Sequence, residues 1–292
     1  MSGLAPIDGL AVLAILAKAV GYGAALLAMG GVLFKLAFAR RADAHVLRVA
    51  ERIAVGAALV GLAVLAVRFG IRAARISGMG FEGATDPMML GFVWDSPLGT
   101  AAIWRGFGGL AILAILIPRV GLWIASVGCL AVAISFAQVG HALGEPREVL
   151  AVLVVIHLLA AAFWVGALAP LRHAALSPAG ASLLHHFGNV AAFGVAILIA
   201  AGTALAYLFS GSITALFGTA YGLALLAKVG IVAALLGLAA VNKVRLVPAL
   251  HGGSPVAAQA LRRSIAWETL AVALILLMTA VLTSVTVPPV RL

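Results

Sequence analysis

The chain has 292 residues, 64% of them hydrophobic and only 10% charged, with a mean hydropathy of +1.21. That composition excludes a water-soluble domain, and no polar stretch is long enough to form a second one, so residues 1–292 read as a single polytopic unit in a lipid bilayer. The net charge of +10 is spread over short inter-helix loops, a pattern of membrane topology, and no nucleic-acid partner is expected.

The segment before Asp8 lacks the basic start of a signal peptide, and the first apolar run is too long for one, so it is expected to stay as a span. Apolar windows of about 20 residues predict about eight helices, over 9–38, 47–74, 98–117, 120–141, 149–171, 183–209, 219–243 and 262–286. Pro97, Pro118, Pro146, Pro178, Pro248 and Pro288 fall at or near the joints, where helix breakers belong. The expected fold is all-α, a polytopic transmembrane helix bundle.

Arg40, Arg41, Arg48 and Arg52 flank the first connection, Arg119 the third, Arg172 the fifth, and Lys243, Arg245, Arg262 and Arg263 the seventh. The opposite side carries Glu82, Asp86, Asp95, Glu145 and Glu148, with only Arg72, Arg75 and Arg147 nearby. The positive-inside rule then puts the odd connections in the cytoplasm and both termini in the periplasm. The longest connection, about 75–97, is external, Gly-rich and acidic, and holds Met79, Met88 and Met89. Its apolar part, Met88 to Trp94, is too short to span and is expected at the interface or folded back over the bundle. The single cysteine, Cys129, lies in an apolar run and rules out an intrachain disulfide.

Three constellations could carry chemistry. The first is histidine near the outer face. His141 ends the fourth span and His157 sits about eight residues into the fifth, roughly 12 Å below the surface at 1.5 Å per residue. The two spans are joined by a short loop, so the imidazoles could meet. With Met79, Met88 or Met89 they would make a copper site, since imidazole suits copper and thioether sulfur favours Cu(I). Trp164, seven residues after His157, shares its helical face.

The second is Glu268 in the last span, with Thr279 and Thr286 near the same face, a polar stripe expected to face the bundle interior. Lys228 in the seventh span is the expected counter-ion, in either a structural pair or a transport path. The third is Lys18, Arg68 and Arg105 in the outer halves of the first three spans. If they converge beside His157 they would repel a bare cation and welcome the propionates of a haem. His173, His185 and His186 lie on the cytoplasmic side as a possible metal exit, with loop solvation the blander reading, while His45 and His251 carry no argument.

From His157 through Trp164 and Gly166 to Leu171 the chain resembles the copper resistance protein D family (CopD and its relatives) of bacterial inner membranes. The resemblance continues through Phe187-Gly188-Asn189, Ala201-Gly202-Thr203, Tyr221-Gly222, Lys228, Asn242-Lys243, Arg262-Arg263-Ser264, Glu268 and Pro288-Pro289, covering about 138–290. The first four spans are similar in layout only. The resemblance implies a multi-pass inner-membrane protein that moves copper alongside a separate periplasmic copper-binding protein (CopC-like). In the first reading copper is captured at His141 and the methionine loop, passes His157 and leaves past Trp164, Lys228, Glu268 and Thr279. A second reading is a haem b membrane oxidoreductase, cupric reductase-like, with His157 as one axial ligand, His141 or an unassigned residue as the other, and Arg105, Arg68 or Lys18 on the propionates. A third is a protein that docks the periplasmic carrier without transporting.

Overall fold

The computed structural model describes residues 8–285 except 178 and 211–212, with the side chains of residues 141, 210, 213, 215, 255 and 285 also outside the described set. Among the described residues there are helices and no strands. They are α1 (Gly9–Phe38), α2 (Ala44–Ser77), α3 (Pro87–Trp94), α4 (Pro97–Leu113), α5 (Gly121–Ala137), α6 (Arg147–Ala174), α7 (Gly180–Ser210), α8 (Ile213–Gly218), α9 (Ala220–Val241), α10 (Val247–His251) and α11 (Pro255–Val285).

Among the described residues, seven helical stretches are long and apolar enough to cross a membrane. The eighth expected span, α5, is equally apolar but has only 17 residues, about 26 Å at 1.5 Å per residue against a hydrocarbon core of about 30 Å. It stops short of the expected residue 141 because the chain turns at Gly140, whose φ is 67°. The starts follow local chemistry. Asp8 caps α1 through the Ala11 N–H, and Ser96 caps α4 with Pro97 at the first turn. Thr219 caps α9 through the Gly222 N–H. At its far end α9 passes through a π-helical turn, Asn242–Leu246, into α10. Pro248 follows that turn; it cannot donate to the carbonyl four residues back and its ring crowds it, so a widened turn ahead of it is the expected accommodation.

The first helix is the hub: α1 packs against α2, α5, α6 and α11, with Met29, Val32, Phe34 and Phe38 fully buried. Lipid removes the hydrophobic incentive for helices to associate, so close packing has to hold them. The α1–α6 crossing shows how. A Cβ on Gly30 would lie 2.1 Å from the Ala162 carbonyl oxygen and 2.5 Å from the Gly166 Cα, so only glycine permits the backbones to touch there. At one end of the bundle an apolar cluster joins Phe34, Phe38, Leu168, Leu171, Leu183 and Leu261. A second cluster, around Met29, Ile112, Cys129 and Ala162, holds α1, α4, α5 and α6 together. Large apolar side chains such as Phe193, Leu110 and Val60 point outward, the surface that lipid would cover.

Candidate functional site

A carboxylate on a membrane helix has to be satisfied from neighbouring helices, because its own backbone is already bonded. Glu268 of α11 is 4% exposed. The Trp164 indole Nε1, from α6, donates to its Oε2 at 3.4 Å, and the Asn242 amide Nδ2, from the end of α9, donates to its Oε1 at 2.5 Å. Three helices therefore converge on one carboxyl group, and the π turn begins at the residue that supplies the amide. The Asn242 Oδ1 is buried without a hydrogen-bond partner, leaving one oxygen of the centre uncommitted.

The expected Glu268–Lys228 pair is not formed. Among the described residues the one ion pair is Lys35–Glu51, and Glu268 takes neutral donors. Lys228 instead is the charge that bears on His157. The reason is geometric: Glu268 lies at the level of Asn242, fourteen residues beyond Lys228 on α9, roughly 21 Å along a helix.

His157 lies against α7, where a Cβ on Gly202 would sit 3.2 Å from Cε1 and 3.4 Å from Nδ1. The imidazole thus fills space that glycine leaves open. Its Nδ1 is buried and has no hydrogen-bond partner. Seven residues along the same face of α6, about two turns, stands Trp164 with its bond to Glu268. Thr279, expected in the same polar stripe, spends its hydroxyl on the Ile275 carbonyl of its own helix at 2.7 Å; Thr286 lies outside the described residues.

Lys18, Arg68 and Arg105, expected in the outer halves of their spans, lie away from His157. Lys18 donates to the Thr283 carbonyl at 3.0 Å and its hydroxyl at 3.3 Å, and Tyr22 meets the same hydroxyl at 3.3 Å. Arg105 donates from Nε to Ser135 Oγ at 3.1 Å and stacks over the Phe136 ring at 4.2 Å. Arg68 and Arg105 line one cavity with residues of α1, α2 and α4. The α6 residues that face this half of the bundle include Leu158, Leu159 and Ala162, whereas His157 points to α7. The expected set of propionate anchors around a haem on His157 is therefore not assembled.

The chain matches two family models. One, described as copper resistance protein D-like, N-terminal domain, covers residues 9–148; the other, copper resistance protein D, covers 181–282. The chain belongs to the copper resistance protein D family. No curated protein and no solved structure matches it. Membership carries a role in copper resistance or handling at the membrane, and with seven candidate spans the protein is multi-pass, consistent with an inner-membrane location. The family extends over the first helices too, which by sequence reading were alike in layout only. Asn242, Lys228 and Glu268 lie inside the second matched segment; His157 and Trp164 fall between the two.

In the long connection between α2 and α4, the expected interfacial segment is α3, capped by the Asp86 carboxylate on the Met89 N–H at 2.9 Å and packed on α2 and α4. Met79 and Met88 are exposed beside Phe81 and Phe92, and Met89 is half-buried. The His141 side chain lies outside the described residues, so its meeting with His157 is untested. On the other side His45 and His173, which the sequence leaves unrelated, bring their rings to 5.8 Å, while His185 meets Asn189 and His186 packs edge-on against Phe38. Among the described residues no three His, Cys, Asp or Glu side chains are placed to hold a metal ion. Sequence reading missed Asn242, Tyr22, Ser135 and Thr283 as partners. An amide at the end of an apolar span was the available signal for Asn242; hydroxyl groups are too common in membrane helices to single out the others.

Proposed function

We propose that the protein carries copper ions across the membrane along the face of α6 that looks toward α7, α9 and α11. The observation behind this reading is that His157, with its unpartnered Nδ1, and the Trp164–Glu268–Asn242 centre stand on one helical face two turns apart. A soft ion entering from the periplasm would meet the exposed Met79 and Met88, with His141 nearby in sequence, then His157, and leave past Glu268 and the free Asn242 oxygen. Lys228 raises the cost of a cation dwelling at His157. That keeps the site weak, which a conducting path requires, since an ion has to leave as readily as it enters. A separate periplasmic copper-binding protein of the CopC type would deliver the ion.

The test is copper uptake into proteoliposomes. His157→Ala is expected to lower the rate at least about tenfold, the scale of losing one ligand worth roughly 1.4 kcal/mol, with a monodisperse size-exclusion profile showing that the variant is folded. Uptake by the variant equal to wild type would sink the reading. The exposure of Phe81, Met88 and Phe92 also suits a second reading, a docking surface for the carrier without transport. In that case substitutions at Met79 and Met88 would abolish copper resistance and His157→Ala would leave it intact.

A further inference from the structure

Two imidazoles from different helices meet at the end of the bundle where α2 starts and α6 stops. His45 is the second residue of α2 and His173 the last but one of α6. Their ring centroids are 5.8 Å apart, with the ring planes at 61°. The rings lie at the surface, but the backbone that carries them is fixed from beneath. Val46, beside His45, is 1% exposed, Leu171 3% and Ala174 0%, and all three belong to one apolar cluster. Side chains mounted on packed helices are placed more closely than side chains on loops.

A hydrogen bond decides what His173 can offer. Its Nδ1 lies 2.9 Å from the Ala169 carbonyl oxygen, one turn back on α6. A carbonyl only accepts, so Nδ1 carries the proton and Nε2 keeps its lone pair. Metal-bound histidines are held in the same way, with the second ring nitrogen donating to a carbonyl that fixes tautomer and orientation. Metal–nitrogen bonds of about 2 Å put the centroids of two rings sharing one ion at about 6 Å. The observed separation matches that, so turning the rings is enough to bring both onto one ion and neither helix has to move.

The surroundings choose among ions. The described residues present a pair of imidazoles here and no set of three His, Cys, Asp or Glu. Zinc takes four ligands and Cu(II) a tetragonal set, whereas Cu(I) is content with two nitrogen donors in a near-linear arrangement. Arg48 follows His45 by three residues, on the same side of α2, and Arg172 adjoins His173. Each repels a doubly charged ion twice as strongly as Cu(I). By the sequence-derived topology this end faces the cytoplasm, where the thiol pool is reducing.

We propose that His45 and His173 form a two-coordinate Cu(I) site at this end of the bundle. It stands apart from the path along α6: His173 comes nine residues after Trp164, which turns the helix by half a revolution and carries the chain about 14 Å further. The choice of copper rests on the family to which the chain belongs, and the site does not depend on transport past His157.

The test is modification of histidines by diethyl pyrocarbonate in the purified full-length protein, with and without Cu(I) supplied under anaerobic conditions, read residue by residue by peptide mass spectrometry. In wild type, Cu(I) is expected to slow modification of His45 and His173 together, by about tenfold once the free ion is ten times its dissociation constant. His251, exposed on α10, should react as before, and Zn(II) at the same concentration should protect neither member of the pair. In His45→Ala the protection of His173 should be lost, and in His173→Ala that of His45. His157→Ala should leave the pair protected, which separates failure of this site from failure of the copper path. Unchanged modification of either histidine in wild type overturns the proposal whatever the variants do. So does equal protection of His251, equal protection by Zn(II), or protection of one histidine that survives loss of the other, which would mean adventitious binding to single imidazoles.

Discussion

The two halves of this bundle treat buried charge in opposite ways. In the half built by α6, α9 and α11, Glu268 receives two donors from two other helices and needs nothing from outside. In the half built by α1, α2 and α4, Arg68 and Arg105 border the space between the helices and form no ion pair with a described residue. A saturated group fixes the positions of the helices that serve it. The difference separates a carboxyl group held by three helices from guanidinium groups that border the space between helices.

The largest effect is expected at the crossing that joins the halves. Gly30→Leu would drive a side chain into backbone atoms of Ala162 and Gly166, which cannot rotate away. Folded protein should be lost, read as the monodisperse fraction on size-exclusion chromatography. Gly56→Leu is the control, because a Cβ there meets nothing within 4 Å; equal yields would show that the crossing does not hold the halves together.

A smaller loss is expected at the saturated centre. Glu268→Ala strands the Trp164 and Asn242 donors at about 1–3 kcal/mol each, so thermal unfolding in detergent should report a loss of about 3 kcal/mol. Glu268→Gln keeps an acceptor oxygen and should lose about half as much. If the two variants unfold alike, the hydrogen bonds are not what holds this half, and the contrast with the arginine cavity weakens. The least effect belongs to the Lys35–Glu51 pair, which is partly open to the surroundings. Lys35→Met should change unfolding by less than about 1 kcal/mol, the range of exposed ion pairs, and a larger loss would mean that α1 and α2 depend on it.

How far the sequence could be read depended on what kind of signal each feature leaves. Span positions were legible because apolar length is a local property, and the helices start within a few residues of the expected boundaries. Pro255 begins α11 well before the expected residue 262, since hydropathy marks the lipid-facing part of a helix and says nothing of how far it projects. Glu268 and Trp164 stood out because ionisable and indole groups are rare in apolar runs. Asn242 was quoted only as the end of a span, and Lys228 was assigned to Glu268 on charge alone. The structure replaces that attraction with two neutral donors, because depth along the bundle decides which groups can meet.

Composition and periodicity by themselves determined that this chain is a bundle of apolar helices, roughly where each begins, and which few residues are too polar to face lipid. Such statements need only the cost of an unsatisfied group in hydrocarbon. Which polar residues share a site was decided by tertiary structure alone: the crossing at Gly30 and Gly166, the turn of α6 that aims His157 at α7, and the meeting of His45 with His173. Those depend on helix rotation and depth, and a few degrees or one turn of either would pair different residues without altering the hydropathy of a single span.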